Sequence, residues 1–86
     1  MTLALARTVI ATDTEAGLVL LDEHSGRYWH LNSSGAVTLR LLLDGRSPEE
    51  AAAELTRNAP DAASRALADV RRLVAALGKA HLVVTA

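Results

Sequence analysis

The sequence predicts an α+β fold with the layout of a winged helix-turn-helix, a three-stranded antiparallel sheet followed by a three-helix bundle. Three observations carry this. The stretch Leu18–Asn32 reads as strand, turn and strand. After Asn32 the apolar residues change from a period of two to helical spacing. The helix start Ser47-Pro48-Glu49-Glu50 is then followed by a break at Asn58–Asp61 and a long amphipathic segment, so the last two helices meet at a tight turn.

Taken in order, Ala6–Thr12 carries the β-branched residues Thr8, Val9, Ile10 and Thr12 and predicts a first strand. Asp13–Gly17 is a polar connection. LVLLDE (Leu18–Glu23) is the second strand, and His24–Arg27 is a turn whose Gly26 suits a positive φ. The third strand, RYWHLN (Arg27–Asn32), holds the only Tyr and the only Trp of a chain without Phe. Side chains alternate along a strand, so Trp29 and Leu31 are expected to point into the core and Tyr28 and His30 away from it. With its large aromatics gathered there, this strand is the candidate working edge.

Asn32, Ser33 and Ser34 are successive good N-caps, and Ala36–Gly45 places Val37 and Leu41, and Ala36, Leu39 and Leu43, at helical spacings before Gly45 ends the helix. Ser47, Pro48 and Glu50 form a capping box that opens a second helix running to about Arg57, with Ala51 and Leu55 as its buried side. The third helix runs from Asp61 to Leu77, before Gly78. At about 100° per residue, Ala63, Leu67, Val70, Val74 and Leu77 form the core stripe. Ala66, Asp69, Leu73 and Ala76 lie on one flank, and Arg65 and Arg72 lie opposite the core. That flank is wider and more apolar than a three-helix cluster requires. His81–Thr85 offers a short final strand.

The 86 residues are expected to form a single domain, 1–86. A chain of this size buries only ~60–65% of its unfolded surface, which leaves no room for a deep active-site cavity beside a core. The net charge of −1 gives no field for nucleic acid or an anionic membrane. There is no Cys, which excludes disulfides and thiolate metal sites and fits a reducing cytoplasm. No apolar run approaches the ~18–20 residues needed to span a bilayer, and the start of the chain lacks the features of a signal peptide. The expected protein is soluble and cytoplasmic. His24, His30 and His81 show no metal-ligand spacing. No nucleophilic triad or phosphate loop stands out, and Asp22-Glu23 reads as a hairpin end, so neither an enzyme nor a cofactor is expected.

The segment LLDEHSGRYWHLNSSGAVTLRLLLDGRSPEEAAAELT, followed by D-V-x-x-L-V-x-x-L-G (Asp69–Gly78), resembles the PqqD-like RiPP recognition elements, small domains that capture the leader of a ribosomally made precursor peptide. The resemblance runs from about Leu18 to Val83. It rests on Trp29, Leu31 and Asn32, the Ser34-Gly35 pair, the Asp44-Gly45 stop and the Ser-Pro-Glu-Glu helix start. The chain is most similar to the freestanding leader-binding proteins of lasso-peptide pathways.

The resemblance implies that a leader adds as an extra strand beside the third strand (27–31), in a groove whose other wall is the third helix (61–77). The backbone of Arg27–Leu31 would pair with the guest. Ala66, Leu73 and Ala76 would accept apolar side chains, Asp69 and Arg72 would meet charges at the rim, and Tyr28, His30, Asp69, Val70, Arg72 and Leu73 would form the wall. The implied partners are the precursor leader and a processing enzyme, a leader peptidase or another RiPP-modifying enzyme.

Plainer roles stand beside these. Trp29 reads first as a core anchor and Asn32 as a helix cap. Tyr28 and His30 are either leader contacts or ordinary solvent-facing residues. Leu73 is also readable as the edge of the core stripe, and Asp69 with Arg72 as a surface ion pair. The rival from another class is a DNA-binding winged helix-turn-helix using Arg65, Arg71 and Arg72. Asp69 and the near-neutral charge oppose it. A third reading is an adaptor that dimerises through the exposed third strand.

Overall fold

A computed structural model describes residues 2–85. Its elements are β1 (Leu3–Leu5), β2 (Val9–Thr14), β3 (Gly17–Asp22), β4 (Arg27–Asn32), α1 (Ser33–Leu43), α2 (Pro48–Leu55), a 3₁₀ turn (Pro60–Ala62), α3 (Ala63–Lys79) and β5 (Val83–Thr85). The architecture is mixed α+β, with a three-stranded antiparallel sheet in the order β2-β3-β4 and three helices. A separate ribbon pairs the two ends of the chain, Leu3 with Thr85 and Leu5 with Val83.

Most elements form where local chemistry puts them, with shifted ends. The first strand begins at Val9 rather than Ala6. Ala6 is held in a turn, its N–H donating to the Leu82 carbonyl at 2.9 Å and its own carbonyl accepting from Val9 N–H at 3.0 Å. Asp13 and Thr14, expected in a connection, continue the strand until a tight turn brings Thr14 opposite Gly17. β1 was not expected. Three residues have no periodicity to read, and their partner lies at the far end of the chain.

The sheet's inner face follows the predicted alternation. Leu18 and Leu20 are buried, and their cross-strand partners Leu31 and Trp29 share that face. Trp29 does not reach the centre of the core, however. It is half-buried against the core's margin, because β4 is the outermost strand of its sheet. Helix α1 lies over β3 and β4 and contributes Ala36, Leu39 and Leu42 to the interior, while Val37 stays exposed. Ala51 and Ala52 of α2 are buried, and Leu55 only partly so. Of the predicted α3 stripe, Val70 and Leu77 are buried, whereas Ala63, Leu67 and Val74 are half-buried. Leu20, Leu39, Leu42, Leu77 and Leu82 are each at most 2% exposed. Burial of a leucine side chain is worth roughly 1.5–3 kcal/mol, so these five are the main apolar support of the fold.

The helix ends show how the chain is punctuated. Asn32 Oδ1 accepts from Gly35 N–H at 2.9 Å, so α1 begins at Ser33, earlier than its apolar pattern suggests. Ser47 and Glu50 make the predicted reciprocal capping box. Helix α1 closes in a Schellman motif: Gly45 N–H donates to Leu42 O, Arg46 N–H donates to Leu41 O, and Gly45 has φ +95°. Helix α3 closes the same way, two residues later than predicted. It passes through Gly78, and the left-handed residue is His81 (φ +61°), with Leu82 N–H donating to Leu77 O at 2.9 Å.

Candidate functional site

Strand β4 pairs with β3 along all six residues, from Gly17 opposite Asn32 to Asp22 opposite Arg27. Its other side has no strand neighbour among the described residues. The outward N–H and C=O groups of such an edge are a template for a further strand. β4 contains no Pro, no Lys and no bulge, and its one charged residue, Arg27, stands at its end.

Two cavities lie beside β4, one at each end: the first is walled by α3, the second by the corner that follows α3. The first, about 230 Å³, sits beside Asn32 and the first turns of α1. Its α3 wall is Ala66, Asp69, Val70 and Leu73, and Leu55 of α2 closes it. Val70 is only 2% exposed, so it belongs to the floor. Small residues at the start of α1 keep this end open. A Cβ on Gly35 would stand 3.3 Å from Asn32 Oδ1 and 3.4 Å from Leu31 Cβ. Thr38, also lining the cavity, is buried, and its hydroxyl is spent on the Ser34 carbonyl at 2.7 Å. The surface offered to a guest there is therefore largely apolar, with the Asp69 carboxylate at its rim.

The second cavity, about 400 Å³, lies where the β3–β4 turn faces the end of α3. Trp29 and Arg27 form its β4 side, with the Arg27 guanidinium carbon 4.8 Å from the Trp29 ring centroid, a cation–π stack. Asp22 fixes the turn. Its carboxylate accepts from Thr8 Oγ1 at 2.8 Å, His24 N–H at 3.0 Å and Ser25 Oγ at 3.1 Å. The Thr8 hydroxyl above all, helped by the His24 and Ser25 groups, holds the Asp22 carboxyl below the usual aspartate value.

The residues picked out from sequence fall into three groups. Ala66, Asp69, Val70 and Leu73 line the first cavity, and Arg27 and Trp29 the second, with half-buried Leu31 between the two along β4. Tyr28 and His30, expected in the groove wall, carry their side chains on the opposite face of the sheet, edge to face at 6.4 Å, with Tyr28 65% exposed. Only their backbones border the edge. Arg72 and Ala76 are exposed and line neither cavity. Arg72 is turned to Asp69 at 2.9 Å, the i,i+3 surface pair.

Thr38, Leu55, His24 and His81 were missed as cavity residues. Leu55 reads from sequence only as part of the buried side of its helix, and Thr38, His24 and His81 are isolated polar residues in a helix, a turn and a helix corner, with no pattern that marks a cavity. Among the described residues no cluster of three or more His, Cys, Asp or Glu could hold a metal ion. None of the described helices is long and apolar enough to cross a membrane.

Comparison with known proteins gives a consistent family. Residues 17–83 match the family model of coenzyme PQQ synthesis protein D (PqqD). No curated protein sequence matches the chain. Among solved structures, a lasso peptide synthetase B1 complexed with the leader peptide is similar at TM-score 0.90 and 33% identity, over 99% of this chain and 100% of that one. The structure of TbiB1 in complex with the TbiA(beta) leader peptide is similar at TM-score 0.80 and 24% identity, over 96% and 94% of the two chains. The second likeness is one of fold.

Proposed function

The chain belongs to the PqqD family as a PqqD-like RiPP recognition element, and from that premise we propose that it binds the leader region of a ribosomally synthesised precursor peptide by strand addition to β4. The leader lies between β4 and α3. The backbone of Arg27–Leu31 supplies register and affinity, and the cavities beside the edge supply specificity. Ala66, Val70 and Leu73 hold an apolar leader side chain. Asp69 and Arg72 meet charges at the rim, Ala76 extends the α3 wall, and Tyr28 and His30 contribute main chain only. The edge of β4, without a strand partner among the described residues and bordered by a cavity against α3 at one end and a cavity against the Ala80–His81 corner at the other, is the observation that carries this reading.

The role is non-catalytic and cytoplasmic, with residues 1–86 acting as one peptide-recognition domain of winged helix-turn-helix layout. The bound precursor is presented to a processing enzyme such as a leader peptidase, and tethering raises the local concentration of its cleavage site. The DNA-binding alternative finds less support. Arg71 is paired with Glu49 at 3.1 Å and Arg72 with Asp69, so α3 does not offer a run of unpaired cations.

The test is fluorescence anisotropy with the synthetic leader of the precursor encoded beside this gene. The wild type is expected to bind. Leu73→Glu is expected to abolish binding while circular dichroism stays native, and alternate amides of β4 are expected to gain hydrogen-exchange protection in the complex. Unaltered affinity in Leu73→Glu, or no added protection on β4, refutes the groove.

A further inference from the structure

We propose that the cavity at the Arg27 end of the groove is a subsite for a carboxylate side chain, Asp or Glu, of the bound peptide, an inference that rests on the strand-addition reading above. Arg27 and Asp22 are register partners on adjacent strands, an arrangement suited to a cross-strand ion pair. Among the described residues Arg27 is nevertheless in no ion pair. The Asp22 oxygens are occupied by Thr8, His24 and Ser25 inside the turn. The guanidinium lies over Trp29 instead. Stacking on an aromatic face restrains the planar group while leaving its N–H fork for an in-plane acceptor, the geometry that matches a carboxylate.

The same cavity is lined by His24 and His81, whose rings supply further N–H donors. His81 stands in a left-handed conformation that the equivalent corner of α1 gives to Gly45. A side chain is thus kept where glycine would fit without strain, and it lines the cavity. Asp22, the acidic residue of the lining, keeps its charge, but its oxygens are engaged by Thr8, His24 and Ser25, so it does not occupy the Arg27 fork.

The placement also fixes a spacing. Arg27 and Leu31 are on one face of β4, four residues and about 13 Å apart at the strand rise. A guest strand beside them therefore carries its acidic residue four positions from the apolar residue that fills the cavity beside Leu31 and Asn32.

The experiment uses the full chain and the fluorescein-labelled synthetic leader of the neighbouring precursor. Arg27→Gln, with native circular dichroism, is expected to weaken binding about tenfold. Replacing the leader's acidic residues one at a time by their amides should reproduce that loss at one position only. At that position Arg27→Gln should add nothing further. His81→Gly should weaken binding although the protein becomes more stable. An Arg27→Gln affinity within twofold of wild type overturns the subsite while leaving strand addition standing. A tenfold loss with no sensitive acidic position in the leader also overturns it, since Arg27 then acts only through its stack on Trp29. Absence of binding by the wild type defeats the strand-addition reading itself.

Discussion

Gly17 is paired with Asn32 so closely that a Cβ on the glycine would stand 2.7 Å from the Asn32 carbonyl carbon, and nearer still to the Leu31 oxygen. Both contacts are backbone, which cannot swing aside as a side chain does. The end of β4 that borders the smaller cavity is therefore set by the absence of a side chain on the neighbouring strand. Gly17→Ala is expected to destabilise the fold by about 2–4 kcal/mol, read as a lowered urea midpoint. Gly26→Ala is the control. It has a positive φ but open space around it, and should cost only about 1 kcal/mol.

The two Schellman corners give a prediction of opposite sign. His81 at φ +61° does the work that Gly45 does in α1. His81→Gly relieves that conformation and should raise stability by about 0.5–1 kcal/mol, seen as a higher urea midpoint with an unchanged m-value.

The capping box of α2 gives a pH dependence. Ser47 N–H donates to Glu50 Oε1 at 2.9 Å and Ser47 Oγ accepts from Glu50 N–H at 3.0 Å. The backbone bond first, then the serine hydroxyl and the nearby Arg46 charge, hold the Glu50 carboxyl below the ordinary glutamate value. A carboxyl lowered in the folded state stabilises above its unfolded pKa, and the contribution disappears as pH falls through the folded one. Asp22 behaves in the same direction. Stability should be flat near neutrality and fall in the acid carboxylate range. Ser47→Ala should cost about 1 kcal/mol at pH 7 and move the Glu50 titration, followed by carboxyl NMR, back upward.

Filling the smaller cavity separates binding from folding. Ala66 is half-buried on the α3 wall. Ala66→Leu extends into space that is open in the free protein, so the urea midpoint should change little. Leader affinity should fall at least tenfold in the anisotropy assay, because the apolar side chain of the guest loses its seat.

The elements that could be read from sequence are those whose signals are local. The Ser47–Glu50 box, the Gly45 stop, the Gly26 turn and the alternation along β4 each depend on a few neighbouring residues, and each stands where the chemistry puts it. Features that depend on distant chain were not legible. β1 exists because β5 is beside it. Alternation gave the face on which Trp29 lies, but its depth depends on what covers that face, and at a sheet margin little does. Gly78 looked like a helix stop, yet the left-handed position fell to His81, a residue whose propensity for it is too weak to recognise in advance. The site divides along the same line. The edge strand and the α3 flank show in the sequence pattern. The contributions of Thr38, Leu55 and His24 arise only when separate elements converge on two cavities.

The pairing of Leu3 with Thr85 carries a mechanical consequence. Because the ribbon is antiparallel with Leu3 opposite Thr85, a force pulling those two residues apart opens it one pair at a time, like a zipper, instead of loading all its bonds together in shear. Tension would be relieved by peeling this clasp before it reached β4.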